Sequence, residues 1–140
     1  MFFNNLKKYN RIILGTASPR RHGLFKELGI GFEILVKNDV EEIYPDGLEN
    51  EEIAIFLADL KSKKFDEEIK EGALIITADT IVVLDNEIIG KPVDMEDAKD
   101  ILNKLSGNRH RVITGVSIIS NDKKVSFYAY TEVYFKRLED

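Results

Sequence analysis

Hydrophobic residues recur along the first third of the chain in short apolar runs separated by amphipathic segments, a pattern typical of alternating strands and helices. Arg11–Gly15 and Phe32–Val36 are predicted to be short strands. Between them, Ser18 followed by Pro19 predicts a helix N-cap with proline at the first helical position, and Gly29 predicts the end of this helix. Its apolar stripe, which we expect to face the core, comprises Leu24, Phe25 and Leu28.

The middle of the chain predicts a second helix followed by the most apolar strand. Asn50 is the predicted cap of the helix. The run from Ala73 to Leu84 is apolar apart from one acidic residue, which predicts a buried strand. Asp85-Asn86 then predicts a tight turn into Glu87–Gly90, so that these two strands form a hairpin. The stripe of the second helix comprises Ile53, Phe56, Leu57 and Leu60.

The last third of the chain predicts one helix and two consecutive strands. Asp94 is the predicted N-cap of the helix and Gly107 ends it. Val112–Ile119 and Val125–Phe135 follow as strands. The predicted fold class is therefore α/β, with a mixed twisted sheet and flanking helices. The apolar stripe of the third helix comprises Ala98, Ile101, Leu102 and Leu105.

Composition narrows the functional classes. A chain of 140 residues predicts one domain with its own hydrophobic core. The 20 basic and 25 acidic residues give a net charge of −5, which argues against non-specific binding to nucleic acid or to an anionic membrane. No segment approaches the roughly 20 apolar residues of a membrane span, and the N-terminus lacks the apolar run of a signal peptide.

The absence of cysteine and the small number of histidines limit the chemistry further. Without cysteine there are no disulfides, thiolate metal sites or thiol nucleophiles, which fits a reducing, cytosolic setting. The two histidines, His22 and His110, are too few for a multi-histidine metal site. Any bound metal is therefore expected to be a hard cation such as magnesium, held by carboxylates and phosphate.

The first candidate site joins the first strand to the first helix, over residues 16–21. A helix N-terminus attracts anions through its backbone N–H groups and its dipole, and Thr16 and Ser18 add hydroxyl donors. Arg20 and Arg21 lie in the first turn, where positive charge is unfavourable unless an anion such as an oligophosphate compensates it. The alternative is a capped helix whose arginines extend into water. The glycine patterns of phosphate-loop and dinucleotide-binding folds are both absent.

The second candidate is Asp79, which interrupts the apolar strand and is followed by Thr80. An ionised carboxylate is expensive to bury without a partner, so Asp79 is interpreted as a metal ligand, a general base or one half of an ion pair. The alternative is an aspartate at a strand end or bulge.

For several further candidate site residues, the surrounding sequence does not decide between a functional and a structural role. Lys61 and Lys64 are equally compatible with the helical geometry of the second helix. Lys91 precedes a proline, which restrains its backbone, and Glu42 is one of several carboxylates in an acidic loop. His110 and Thr114 follow a helix that ends in a polar, glycine-containing segment before a strand, a location as common for ordinary connections as for ligand sites.

The ordered set of these motifs resembles the Maf family, also called septum formation inhibitor Maf or Maf-like nucleotide pyrophosphatases. SPRR alone is a weak signal, whereas six segments in the family's order cover almost the whole chain. These segments are LGTASPRR (14–21), DVEE (39–42), LADLKS (57–62), ADTIVVLDNEIIGKP (78–92), DAKDILNKLSGNRHRVITGV (97–116) and TEVYFKRL (131–138).

The resemblance implies an inosine-triphosphatase-like fold and a cytoplasmic, often dimeric enzyme. Such an enzyme hydrolyses a nucleoside triphosphate to the monophosphate and pyrophosphate with a divalent metal, magnesium or manganese. By motif, Asp79 is the proton acceptor, and Glu42 joins it around the metal. The resemblance also selects Lys61 over Lys64. The residues implied around the phosphates are Thr16, Ser18, Arg20, Arg21, Lys61 and Lys91.

Arg20 and Thr80 resemble the branch of the family that acts on dTTP and UTP, because the 7-methyl-GTP branch has tryptophan and glutamine at these positions. Thr16 stands where the family usually has serine and keeps the hydroxyl. The chain lacks the A-G-x-Y-x-x-Q segment that the family carries after the TEVYF strand. We therefore expect a C-terminally truncated version of the fold. The alternatives to an enzyme are a nucleotide-binding or cell-division regulatory module without turnover and an inactive fragment.

Overall fold

The computed structural model describes residues 9–37, 43–89 and 94–134. In these ranges, no helix is both long and apolar enough to cross a membrane. The helices are α1 (Pro19–Glu27), α2 (Asn50–Ser62), α3 (Asp66–Lys70) and α4 (Met95–Leu105), and a short 3₁₀ turn (Lys63–Phe65) joins α2 to α3. The strands are β1 (Ile12–Leu14), β2 (Glu33–Ile34), β3 (Leu74–Leu84), β4 (Glu87–Ile89), β5 (Arg109–Ile119) and β6 (Lys124–Tyr134).

The strands form one mixed sheet, as the alternation of apolar segments predicts. Its order is β2-β1-β3-β5-β6, with β4 paired to β3. β1 is parallel to both β2 and β3, whereas β3, β4, β5 and β6 are joined by antiparallel pairs. The parallel half follows from the helical connections α1 and α2–α3, and the antiparallel half follows from the consecutive strands at the end.

One edge of β3 has a gap in its pairing, and this gap determines where a cleft can form. β5 occupies one edge of β3 from Ile75 to Val83, so β1 and β4 must share the other edge. β1 pairs with residues 74–76 and β4 with residues 82–84. No described strand pairs with residues 77–81 on that edge. The gap opens beside the carboxyl end of β1, where open α/β sheets usually bind ligands.

Helix α2 packs directly on the sheet at β3 and β5 through two alanines. Ala54 and Ala58 are fully buried, and Ile53 and Leu57 join Ile81 and Ile113 in one hydrophobic cluster. Gly115 of β5 lies directly under Ala54, where a Cβ atom would stand 2.2 Å from the Ala54 carbonyl oxygen. A glycine is therefore required at this position for the helix to approach so closely.

The predicted caps and turns are largely confirmed. Ser18 caps α1 and accepts a hydrogen bond from the Arg21 amide, and Asp94 caps α4 and accepts one from the Asp97 amide at 2.8 Å. Asp85 and Asn86 both have positive φ, at 51° and 64°, as a tight hairpin turn demands.

Other boundaries differ from the prediction. The N-cap of α2 is Glu49, not Asn50, because Glu49 and Glu52 form a reciprocal capping box. β2 is only two residues long, and α3 was not predicted. The prediction that the apolar stripe of α1 faces the core is wrong, because Leu24 is 57% and Leu28 is 55% exposed. The helix instead packs Phe25 edge-on against the Phe32 ring.

Candidate functional site

The loop between β1 and α1 is held in shape by its own hydroxyl and carbonyl groups. The Thr16 hydroxyl accepts a hydrogen bond from the Ser18 amide at 3.3 Å. His22 Nε2 lies 2.6 Å from the Thr16 carbonyl oxygen, so this nitrogen carries the hydrogen and donates it. Thr16 is buried although it is polar. The loop thus presents the N-terminus of α1 in a fixed orientation.

Arg21 reaches from the first turn of α1 to the middle of β3. Its guanidinium donates to Thr16 Oγ1 at 2.9 Å and to Thr80 Oγ1. Burial lowers the pKa of Arg21, while the nearby Asp79 carboxylate opposes that shift. Both hydrogen-bond acceptors are neutral hydroxyls, so the positive charge is left available to an anion.

Asp79 lies in the middle of β3, not at a strand end or bulge, and is only 8% exposed. Its carboxylate Oδ1 lies 2.5 Å from Lys61 Nζ, which projects from the last turn of α2. The cost of burying a carboxylate is thereby offset by a lysine. The structure thus distinguishes Lys61 from Lys64, which is exposed at the 3₁₀ turn.

These groups face a common cleft of about 650 Å³ at the gap in the edge of β3. One wall is the β1–α1 loop with Arg21, and the other is α2 with Lys61. Asp79 and Thr80 form the floor. The apolar part of the lining comprises Ala17, Tyr44, Ile53, Leu57, Ile81, Ile88 and Ile89. The cleft therefore combines two cations and one carboxylate with an apolar surface large enough for a small ligand.

Not every residue predicted from the sequence reaches this cleft. Thr16, Ser18, Arg21, Lys61, Asp79 and Thr80 line it, whereas Arg20 is exposed and lies outside its lining. His110 is buried beside a separate depression formed with the Asp85-Asn86 turn. Glu42 and Lys91 lie outside the described residues, so the structure does not test their predicted positions.

Thr114 has a connection to the site that the sequence did not reveal. Its hydroxyl lies 3.0 Å from that of Thr80, which also accepts from Arg21. The two threonines are directly opposite each other in the β3–β5 register. The sequence placed Thr114 in a segment that is as common in ordinary connections as at ligand sites, but its contact with Thr80 depends on how the strands pair, which the local pattern does not show. Tyr44, in the acidic loop, also lines the cleft and was not among the residues predicted from the sequence.

The donor atoms at the cleft suit a sparsely coordinated magnesium ion. Among the described residues, no cluster of three or more histidine or acidic side chains could hold a metal. Magnesium commonly uses one or two carboxylates, several waters and substrate phosphate oxygens instead of an all-protein cage. Asp79 supplies one such carboxylate beside the hydroxyls of Thr16 and Thr80, so the residues present fit this type of site.

The sequence of this chain matches a protein family and is similar to named proteins. The family described as Maf-like protein matches residues 11–140. A protein named dTTP/UTP pyrophosphatase from Flavobacterium johnsoniae is 45% identical over 140 residues, which is the whole chain and 71% of that relative. One with the same name from Cytophaga hutchinsonii is 46% identical over 140 residues, which is 63% of that relative. The chain thus spans about two thirds of the length of these relatives.

Two solved structures share the fold at much lower sequence identity. A nucleoside-triphosphatase (dITP/XTP pyrophosphatase) from Mycobacterium abscessus superposes with a TM-score of 0.55 at 15% identity, covering 91% of this chain and 75% of that one. A HAM1 protein from Coxiella burnetii gives 0.53 at 15% identity, covering 87% and 71%. At this identity the likeness concerns the fold alone, and it agrees with the inosine-triphosphatase-like fold that the family resemblance implies.

Proposed function

The chain belongs to the Maf-like protein family, and from this premise we propose that it hydrolyses dTTP and UTP to the monophosphate and pyrophosphate. Its relatives from Flavobacterium johnsoniae and Cytophaga hutchinsonii are named dTTP/UTP pyrophosphatase, which supports these substrates. The structural observation that supports the proposal most is the cleft itself, where Arg21 and Lys61 flank the buried carboxylate of Asp79. A triphosphate needs cations along its length, and attack on it needs a positioned base.

In this proposal the triphosphate lies across the N-terminus of α1. Arg21 binds phosphate oxygens through two parallel hydrogen bonds, a geometry that guanidinium groups favour. Lys61 has three donors, so it can hold Asp79 and a phosphate oxygen at the same time. The hydroxyls of Thr16 and Ser18 add neutral donors at the helix terminus. Arg20 and Lys91 complete the phosphate-binding set that we propose.

Asp79 acts as the general base in the proposed reaction. A water molecule attacks the α-phosphorus, and the Asp79 carboxylate accepts its proton. The new bond joins the water oxygen to the α-phosphorus, and the bond to the oxygen bridging the α- and β-phosphates breaks. Pyrophosphate leaves with that oxygen. Arg21 and Lys61 stabilise the negative charge that develops on the phosphate oxygens.

A divalent cation, which we propose to be magnesium, fits beside Asp79, with Glu42 as the second proposed carboxylate. When bound, such an ion neutralises phosphate charge and lowers the pKa of a coordinated water.

We also propose that Thr80 contacts the substrate, that residues 1–140 act as one domain, and that the enzyme acts on cytoplasmic nucleotides.

Arg21→Ala is expected to raise the KM for dTTP about 10- to 100-fold, because a charge-assisted hydrogen bond contributes roughly 1.5–3 kcal/mol. Arg21→Lys keeps the charge but loses the planar fork that spans Thr16 and Thr80, so its KM is expected to fall between those of the wild type and the alanine variant. Steady-state kinetics of pyrophosphate release measures both effects.

Arg20→Ala is the matched comparison for this prediction, because Arg20 is the preceding residue and carries the same charge. It is exposed outside the lining of the cleft, so its removal is expected to raise KM less than removal of Arg21. An equal or larger effect of Arg20→Ala would contradict the assignment of Arg21 as the main phosphate-binding arginine.

The substrate proposal is tested by comparing pyrophosphate release from dTTP, UTP, ATP and GTP in the presence of magnesium. We expect dTTP and UTP to have the highest kcat/KM of the four. Binding of dTTP without release of pyrophosphate would instead assign the chain to the non-catalytic nucleotide-binding class.

A further inference from the structure

The Lys61–Asp79 contact joins helix α2 to strand β3, and a second contact joins the same two elements nearby. The Thr77 hydroxyl donates a hydrogen bond to the Ala58 carbonyl oxygen at 2.8 Å. Thr77 precedes Asp79 by two residues on the same face of β3, and Ala58 precedes Lys61 by three residues, about one helical turn. The two contacts are therefore successive links between the same helix and strand.

The Thr77–Ala58 hydrogen bond lies in a fully enclosed part of the structure. Both residues have no exposed surface, so water does not compete for the bond. A backbone carbonyl has two lone pairs, so the Ala58 oxygen can accept from Thr77 while it also accepts from the helix itself. A buried hydrogen bond of this kind restricts both the distance and the axial position of the helix relative to the strand.

A third contact restricts the helix from the neighbouring strand. Gly115 pairs with Asp79 in the β3–β5 register, and its missing side chain lets the Ala54 backbone approach the sheet. Along α2, Ala54, Ala58 and Lys61 are thus each about one turn apart and each meets the sheet. The contacts at Ala54 and Ala58 position the helix on the sheet, and the contact at Lys61 brings a positive charge into the cleft.

We infer that Thr77 is a positioning residue, whose bond to the Ala58 carbonyl places Lys61 against Asp79. This inference rests on the proposed function for its effect on catalysis. A displacement of about 1 Å at a reacting group can reduce the rate by as much as a hundredfold. Loss of the hydroxyl therefore reduces kcat, while binding of the triphosphate at Arg21 and the α1 N-terminus is largely retained.

Thr77→Val tests the inference, because valine is close to threonine in shape and puts a methyl group, which cannot donate a hydrogen bond, in place of the hydroxyl. We expect kcat to fall about tenfold and KM to change by less than kcat does, because Arg21 and the α1 N-terminus still bind the triphosphate. Thr77→Ser keeps the hydroxyl and is expected to stay within about twofold of the wild type in both constants. If the valine variant does not fold, Thr77→Ala, which also lacks the hydroxyl, replaces it in the same measurement.

Ser117→Ala is the matched control. Ser117 faces Thr77 across the strand pair and is equally buried, but its hydroxyl has no hydrogen-bond partner among the described residues. Removing it is expected to leave kcat and KM unchanged. A loss of kcat in Ser117→Ala equal to that in Thr77→Val would overturn the inference, since any buried hydroxyl at this interface would then have the same effect.

The rate at which an amine-acylating reagent modifies Lys61 gives a readout that does not depend on activity. Mass spectrometry measures this rate against those of the exposed Lys70 and Lys104 in the same molecule. In Thr77→Val we expect Lys61 to react several-fold faster, because its ammonium is held less firmly by Asp79. Unchanged Lys61 reactivity would overturn the inference. Absence of pyrophosphate release by the wild type would instead refute the proposed function.

Discussion

Asp79→Asn is expected to lower kcat for dTTP and UTP roughly 100- to 10,000-fold, the usual contribution of a positioned general base. Asparagine has the same shape as aspartate, but its amide neither accepts a proton from water nor carries the charge that attracts Lys61. The substitution therefore removes the chemistry while it preserves the volume of a side chain buried in β3. Pyrophosphate release measured at saturating nucleotide isolates the effect on kcat.

Asp59→Asn provides the control for this variant. Asp59 lies on α2 and, like Asp79, contacts a lysine, with its Oδ2 atom 3.5 Å from Lys124 Nζ. It also accepts a hydrogen bond from Ser126 at 3.0 Å. It does not line the cleft, so its replacement is expected to leave kcat nearly unchanged. If Asp79→Asn retained activity within a few-fold of Asp59→Asn, the assignment of Asp79 as the base would be wrong.

Gly115→Ala has the largest expected effect on stability. The added Cβ atom would lie 2.2 Å from the oxygen and 2.3 Å from the carbon of the Ala54 carbonyl. Backbone atoms cannot rotate away, so helix α2 must move off the sheet. We expect the free energy of unfolding to fall by about 3 kcal/mol, which corresponds to a fall in Tm of about 10 °C. Thermal and urea denaturation measure these changes.

Gly23→Ala, in contrast, is expected to stabilise the protein. Gly23 lies inside α1, and nothing stands within 4 Å of the position that its Cβ atom would occupy. Alanine at an exposed helical position is expected to raise stability by about 0.5–1 kcal/mol. Equal stability changes in Gly115→Ala and Gly23→Ala would contradict the close approach of α2 to β5.

The same displacement of α2 gives Gly115→Ala a functional consequence. Lys61 lies on α2 and Asp79 lies on β3 next to Gly115, so moving the helix separates the two charged groups. We therefore expect the folded fraction of Gly115→Ala to lose activity beyond its loss of stability. This outcome would connect the packing of the helix with the chemistry of the cleft.

Local chemistry made several elements of the fold predictable. The Ser18-Pro19 pair and Asp94 identify helix starts because side-chain caps satisfy backbone amides within three residues. The Asp85-Asn86 turn is equally local, since both residues tolerate positive φ. The exposure of Leu24 and Leu28 could not be predicted in this way, because it depends on which elements pack against α1.

In the candidate site too, some residues could be predicted from local chemistry and others depend on how the chain packs. Asp79 stands out in the sequence because a charge inside an apolar strand requires a partner, and the structure supplies Lys61. Helical geometry alone left Lys61 and Lys64 equivalent, since both lie near the same stripe. Thr77 gave no local signal, and Thr114 stood out only as part of a segment that is as common in ordinary connections as at ligand sites. Their contacts depend on the register of β3 with β5 and on the docking of α2, which only the folded chain determines.

The most direct test of the central claim is a steady-state assay of pyrophosphate release from dTTP by this 140-residue chain with magnesium present. The account predicts turnover with stoichiometric formation of the monophosphate and pyrophosphate, and its loss in Asp79→Asn. Binding of dTTP without pyrophosphate release, or turnover that is undiminished in Asp79→Asn, would contradict the account.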